Sequence, residues 1–108
     1  MALGAPQLLT KAGVAPTYNT PLATENVSVT TAPLIVDVKN ANAATCTVTL
    51  VDPGLTPGGS AAINPTVVVP ATTGNMVILV PLQFVNNGVV QLLFSIQTSV
   101  TAALFVIT

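Results

Sequence analysis

The side chains that could do chemistry are few. Histidine is absent, and the carboxylates are Glu25, Asp37 and Asp52 alone. Without histidine the usual general base and the commonest metal ligand are both missing, so a serine triad cannot be assembled. A two-carboxylate glycosidase or an aspartic dyad would have to draw on those three acids. Asp52 stands directly before Pro53-Gly54, where Asp favours the first position of a type I turn, so turn-building accounts for it. A calcium site takes about six or more oxygens, several from carboxylates, and the spacing here matches none of the known loop patterns. The single thiol, Cys46, falls on the apolar side of an alternating run and reads as a small core residue with no base to activate it. Gly58-Gly59 is followed by neither a helix nor a lysine, so it reads as a tight turn rather than a phosphate cradle. Asn26-Val27-Ser28 matches the glycosylation acceptor pattern, a short motif that arises readily by chance. The expectation is a non-enzymatic chain with no catalytic residue, no metal site and no cofactor.

The remaining charges are Lys11 and Lys39. Two cations cannot neutralise the several phosphates on which nucleic-acid affinity rests, and no basic strip interleaved with aromatics exists for stacking. No nucleic-acid partner is expected. Of the 108 residues, 51% are apolar and 5% charged, against roughly 25% charged in an average globular domain. Disorder requires the opposite balance, low hydrophobicity with high net charge. No run approaches the ~18 consecutive apolar residues of a membrane span, so no membrane partner is expected. Charge is depleted at interface cores, so the deficit points to an assembled subunit whose apolar surface is buried against other protein. Residues 1–11 lack the basic start and unbroken apolar stretch of a secretory signal, and one cysteine permits no internal disulfide; synthesis in a cytoplasm is expected.

The elements that must position these residues are strands. Residues 1–24 carry Gly4, Pro6, Gly13, Pro16 and Pro21 without a sustained period, and read as an extended arm with at most a short helical turn around Leu8–Ala12. Residues 25–108 change to β-branched runs separated by Pro, Gly and Asn, giving candidate strands at Asn26–Thr31, Leu34–Asn40, Thr45–Val51, Thr66–Val69, Met76–Val80, Val89–Gln97 and Val100–Thr108. The fold expected is an all-β antiparallel sandwich of about seven or eight strands, jelly-roll or immunoglobulin-like, with an extended N-terminal arm. Cys46, Val48 and Leu50 share one face against the threonines; Leu34, Val36 and Val38 share another, leaving Asp37 and Lys39 outside and solvated. The last two strands are apolar on both faces, which fits either a central strand capped by the arm or a subunit contact. Asp52-Pro53-Gly54 opens a long connection, Thr73-Gly74-Asn75 reads as closing one hairpin, and Asn86-Asn87-Gly88 as turning another.

With these elements placed, the order Thr47-Val48-Thr49-Leu50-Val51-Asp52-Pro53-Gly54, Pro57-Gly58-Gly59 and Asn64-Pro65-Thr66-Val67-Val68-Val69-Pro70-Ala71 can be followed into Pro81-Leu82-Gln83-Phe84-Val85-Asn86-Asn87-Gly88-Val89-Val90 and Ser99-Val100-Thr101-Ala102-Ala103-Leu104. Together with Ala12-Gly13-Val14-Ala15-Pro16-Thr17-Tyr18 in the arm, this series resembles the small head proteins of tailed bacteriophages and covers most of the chain. It departs from them at Met76-Val77-Ile78-Leu79-Val80, where an Arg-Ile-Gly-like segment would precede the hairpin. The resemblance implies a capsid decoration, or cement, protein that binds the outer surface of a head shell. Its implied partners are the major capsid protein and copies of itself, as a homotrimer at three-fold positions, on the capsid exterior after synthesis in the host cytoplasm. The alternative is another virion β-module, a head-fibre or tail domain, or a glycan-binding sandwich. Glycan sites show exposed aromatics, and the aromatics here are Tyr18, Phe84, Phe94 and Phe105, with no tryptophan.

In the arm, Leu8, Leu9, Val14, Tyr18 and Leu22 offer apolar anchors along an extended path, and are the expected contacts with a neighbouring subunit. The alternative is that the arm covers an edge or face of its own sandwich.

Overall fold

Alternation of apolar and polar residues sets the strands, and their long-range pairing sets the fold. The computed structural model describes residue 3 and residues 5–29, 33–55, 57–60, 63–86 and 88–107. The strands are β1 (Gln7–Leu9), β2 (Thr24–Ser28), β3 (Leu34–Asn40), β4 (Cys46–Leu50), β5 (Thr66–Val69), β6 (Gly74–Val80), β7 (Val89–Phe94) and β8 (Val100–Ile107), with one 3-10 turn at Leu82–Phe84. The ends of two expected strands, Thr30–Thr31 and Thr108, and Asn87 of the expected turn lie outside the described residues.

Two four-stranded sheets face each other, ordered β1-β8-β3-β6 and β2-β7-β4-β5. An immunoglobulin-like domain places β1, β2, β4 and β5 together in one sheet, so that alternative is set aside. The order found is what results when a chain doubled back on itself is wrapped around a core. The innermost pair β4·β5 lies in the second sheet, β3·β6 in the first, β2·β7 in the second and β1·β8 in the first. Antiparallel contacts β3·β8 and β4·β7 then close each sheet. This is a jelly roll, all-β and antiparallel except at β1, which pairs parallel to β8 through Gln7↔Phe105, Leu8↔Val106 and Leu9↔Ile107. The arm returns to β8 with an antiparallel bridge between Asn19 and Ala102, their amides and carbonyls exchanging bonds of 3.0 and 2.9 Å.

The core fills from the inward face of each strand. Leu34, Val36 and Val38 of β3, Val48 of β4, and Val90 and Leu92 of β7 are fully buried. Cys46 is buried among them, its Sγ–H donating to the Ile96 carbonyl at 3.5 Å. Leu3 from the arm also joins this cluster.

Three local expectations are corrected. The segment expected as a helical turn around Leu8–Ala12 is instead β1 followed by a turn in which Gly13 N–H donates to the Thr10 carbonyl at 3.0 Å. One isolated helical turn orders several residues for a single bond, whereas the free edge of β8 offers a ladder. Thr73-Gly74-Asn75 closes no hairpin, because β5 and β6 belong to different sheets and the chain at 70–73 arches from one to the other. The strand expected to reach Gln97 ends at Phe94, where Ser95 N–H turns to the Thr47 carbonyl at 3.0 Å. The turn before β7 is a tight one: Asn86 and Val89 bond each other both ways, at 2.9 and 3.0 Å, and Gly88 takes φ of 76°, which a side chain would resist.

Candidate functional site

The two sheets present unlike outer faces. On the second sheet the outward positions of β2 and β4 are the uncharged polar Thr24, Asn26, Ser28, Thr47 and Thr49, with half-buried Val89 and Leu93 of β7 and exposed Val68 of β5 beside them. On the first sheet, strand register sets three rows across β8, β3 and β6: Phe105–Ile35–Leu79, Ala103–Asp37–Val77 and Thr101–Lys39–Asn75. These rows point away from the core, yet Phe105 and Ala103 are buried. The arm pairs along the β8 edge at that end, through β1 and the Asn19–Ala102 bridge. Gln7 braces it, its amide donating to the Ala15 carbonyl at 3.0 Å and its oxygen accepting from Thr17 N–H at 2.9 Å. At the other end Val77 is 67% and Leu79 60% exposed, on the edge strand.

Between these ends lies a small polar cluster. The Tyr18 hydroxyl donates to Asp37 Oδ2 at 2.7 Å, and Lys39 Nζ stands 4.1 Å from the centre of the Tyr18 ring. Asp37 is therefore half-buried rather than fully solvated, and its Oδ1 is buried without a hydrogen bond among the described residues. The bond to Asp37 holds the Tyr18 phenol above its ordinary range, burial acts in the same direction, and Lys39 pulls the other way. A raised folded-state pKa means that the contact stabilises fully below the unfolded value of about 10 and ceases to do so as pH rises through the folded value. Tyr18 is the chain's single tyrosine and tryptophan is absent, so near-ultraviolet absorbance reports its ionisation cleanly. The expected result is a midpoint above 10 that moves down toward the ordinary value in Asp37→Asn; equal midpoints in the two proteins would contradict the assignment.

The arm's second anchor is a carboxylate that the sequence offered only as a candidate acid, not as a buried structural group. Glu25 is fully buried on the inward phase of β2, beside Val27. Its Oε2 accepts from Leu22 N–H at 2.6 Å and its Oε1 from Leu3 N–H at 3.5 Å. Asp52 does not open the type I turn expected of it, since residues 51–54 form no backbone turn; its side chain instead braces the loop, Gly54 N–H donating to its Oδ1 at 2.8 Å. The three carboxylates are thus dispersed among the core side of the second sheet, the outer face of the first and a loop. No group of three His, Cys, Asp or Glu is placed to hold a metal among the described residues. No helix among them is long and apolar enough to cross a membrane.

The five arm residues expected as interface anchors are not gathered into one patch. Leu8 and Leu9 sit in β1, Tyr18 lies on Asp37, and Leu22 follows the arm toward Glu25; Leu8 is 46% and Leu22 52% exposed, while Leu9, Val14 and Tyr18 are half-buried.

A cleft of about 580 Å³ opens at the Gly74 end of β6, its walls including Lys39, Thr72, Thr73, Asn75, Ser99 and Thr101. It holds hydroxyls and one cation but no group to activate them. Two of its walls are strained, with Thr72 at φ 69° and Ser99 at φ 59°. A β-branched residue in this region is a genuine outlier. Thr72 is exposed, so Thr72→Gly relieves the strain at little expense in packing and is expected to stabilise by about 1 kcal/mol. A lower denaturation midpoint in that variant would contradict this.

Comparison of the chain with protein-family models, with curated proteins and with solved structures finds no match.

Proposed function

We propose that this chain is a structural, non-enzymatic subunit that decorates the outside of a phage head, bound to the major capsid protein and to further copies of itself. The observation that carries the reading is large apolar side chains exposed on a domain with five charges: Leu8, Leu22, Val77 and Leu79 are each between 46% and 67% exposed. Solvent contact at such residues costs free energy that a protein partner removes, at about 25 cal/mol per Å² of apolar area. Repeated over a shell, even a small contact of this kind adds up to substantial resistance to internal pressure. The resemblance of the Thr47–Ala71 run and its sequel to phage head proteins supports the identity of the shell. The jelly-roll fold supports it by analogy, since viral capsid domains use it, as do lectins. A glycan-binding role draws less support: Phe84, Phe94 and Phe105 are buried, and Tyr18 is engaged by Asp37 and Lys39.

The test is co-sedimentation of the purified protein with undecorated phage heads. Saturable binding at a fixed ratio to the capsid protein is expected, weakened at least tenfold by Leu8→Lys/Leu22→Lys at unchanged melting temperature. Absence of binding, or binding that never saturates, overturns the proposal.

A further inference from the structure

Each sheet of a jelly roll ends in edge strands whose outward backbone groups can pair with another chain, and proteins blunt such edges with brevity, proline or charge. Two of the four edges here are blunted: β1 has three residues and follows Pro6, and β5 has four and lies between Pro65 and Pro70. β2 has five residues and turns only polar Thr24, Asn26 and Ser28 outward. β6 is different. It runs for seven residues, Gly74–Val80, without a proline or a charge, and pairs with β3 one-to-one from Leu34↔Val80 to Asn40↔Gly74, so no bulge turns it aside. Among the described residues no strand pairs with its other side. Its outward side chains Val77 and Leu79 are the exposed apolar end of the rows on the first sheet, and Met76, on the opposite phase, is 37% exposed.

We propose that β6 pairs antiparallel with β6 of a second copy about a two-fold axis, joining the two first sheets into one continuous eight-stranded sheet. The register follows from the side chains. With Ile78 on the axis, Val77 lies opposite the second copy's Leu79, Leu79 opposite its Val77, and Met76 opposite its Val80, so each cross-strand pair is apolar. With Val77 on the axis, Leu79 would face Asn75. A strand is the partner chemistry that an open backbone edge selects, and a second copy supplies one of matching length and apolarity. The contact is isologous and closes at two copies. It thus differs from the trimer implied by the phage resemblance, and it does not depend on the shell reading, because its test contains no phage heads.

The test is sedimentation equilibrium of the full chain over a wide concentration range. The expected species has twice the 10.9 kDa chain mass. Val77→Lys/Leu79→Lys opposes like charges across the axis and is expected to weaken self-association at least tenfold. Both positions are exposed, so its far-UV circular dichroism should match that of the wild type, and its melting temperature should match the wild-type value reached on dilution to the monomer. Val77→Cys/Leu79→Cys is expected to give a disulfide-linked dimer on mild oxidation and Val77→Cys alone is not, which together report the register, since the native Cys46 is buried. A monomer at all concentrations, a trimer, or a dimer that withstands the lysine pair and does not cross-link overturns the proposal.

Discussion

Gly74→Ala is expected to cost more than about 4 kcal/mol, enough to lower the melting temperature by roughly 20 °C or to abolish the folded protein. Gly74 opens β6 immediately after the arch from the second sheet to the first. A Cβ there would overlap the Pro70 carbonyl oxygen and lie 2.7 Å from its carbon and 2.8 Å from its nitrogen. All three are backbone atoms, so no side chain can rotate away and the arch itself must open. Gly54 is the internal control. A Cβ at Gly54 meets the Asp52 side-chain oxygen at 3.0 Å, which can move aside, so Gly54→Ala should lose only part of the loop's bracing. Circular-dichroism melting of the two variants separates them, and a Gly74→Ala midpoint within a few degrees of the wild type would refute the account.

Asn40→Ala is expected to destabilise by about 2–3 kcal/mol, seen as a lower denaturant midpoint at unchanged slope. Asn40 ends β3 and is buried at 2% exposure. Its amide group donates to the carbonyls of Ala44 at 2.9 Å, Val69 at 3.3 Å and Pro70 at 3.2 Å, and its oxygen accepts from Asn42 N–H at 2.9 Å. Val69 ends β5, so one side chain ties the first sheet to the second where their hydrogen-bond ladders cannot. Truncation strands these buried groups. Asn40→Asp keeps the shape but sets a negative charge against three carbonyl oxygens, and should be worse than alanine. Because Asn40 and Gly74 are register partners and both act on Pro70, their effects should not add. An Asn40→Ala loss below about 0.5 kcal/mol, the range of ordinary surface changes, would show the tie to be idle.

Local pattern carried much of the fold. β3 and β5 fall on the residues expected, and Cys46, Val48 and Leu50 are buried on one face because period-two alternation is a property of the strand itself. What alternation cannot contain is which strands meet. Thr73-Gly74-Asn75 looks the same at a hairpin and at an arch, and only the pairing of β6 with β3, more than thirty residues earlier, decides between them. Leu8 and Leu9 become a strand because β8, at the far end of the chain, has a free edge. Asp37 alternates as a solvent-facing residue, but Tyr18, nineteen residues before it, settles over it. Glu25 and Asn40 are cases where the signal is present in the sequence. Glu25 lies on the phase of Val27 and Val29, and Asn40 on that of Leu34, Val36 and Val38; each is a polar residue at a core position, which implies a committed hydrogen-bond partner. The arm residues Leu8, Leu9, Val14, Tyr18 and Leu22 stand out for apolarity along an extended path, and apolarity alone does not say which surface receives them.

The nesting of strand pairs also orders the chain in time. Closing β4 on β5 spans only residues 51–65, whereas each pair outside it closes a longer loop, out to β1 on β8. Non-local contacts must wait for that closure entropy, which places a topology of this kind among slow, millisecond-to-second folders. The same hierarchy governs opening. The outermost pair is held by three residues of β1 and the Asn19 bridge, so it can detach while the inner pairs stay closed. Amide hydrogen exchange should therefore run from the outside inward, with Asn19 and Ala102 exchanging well before Val48.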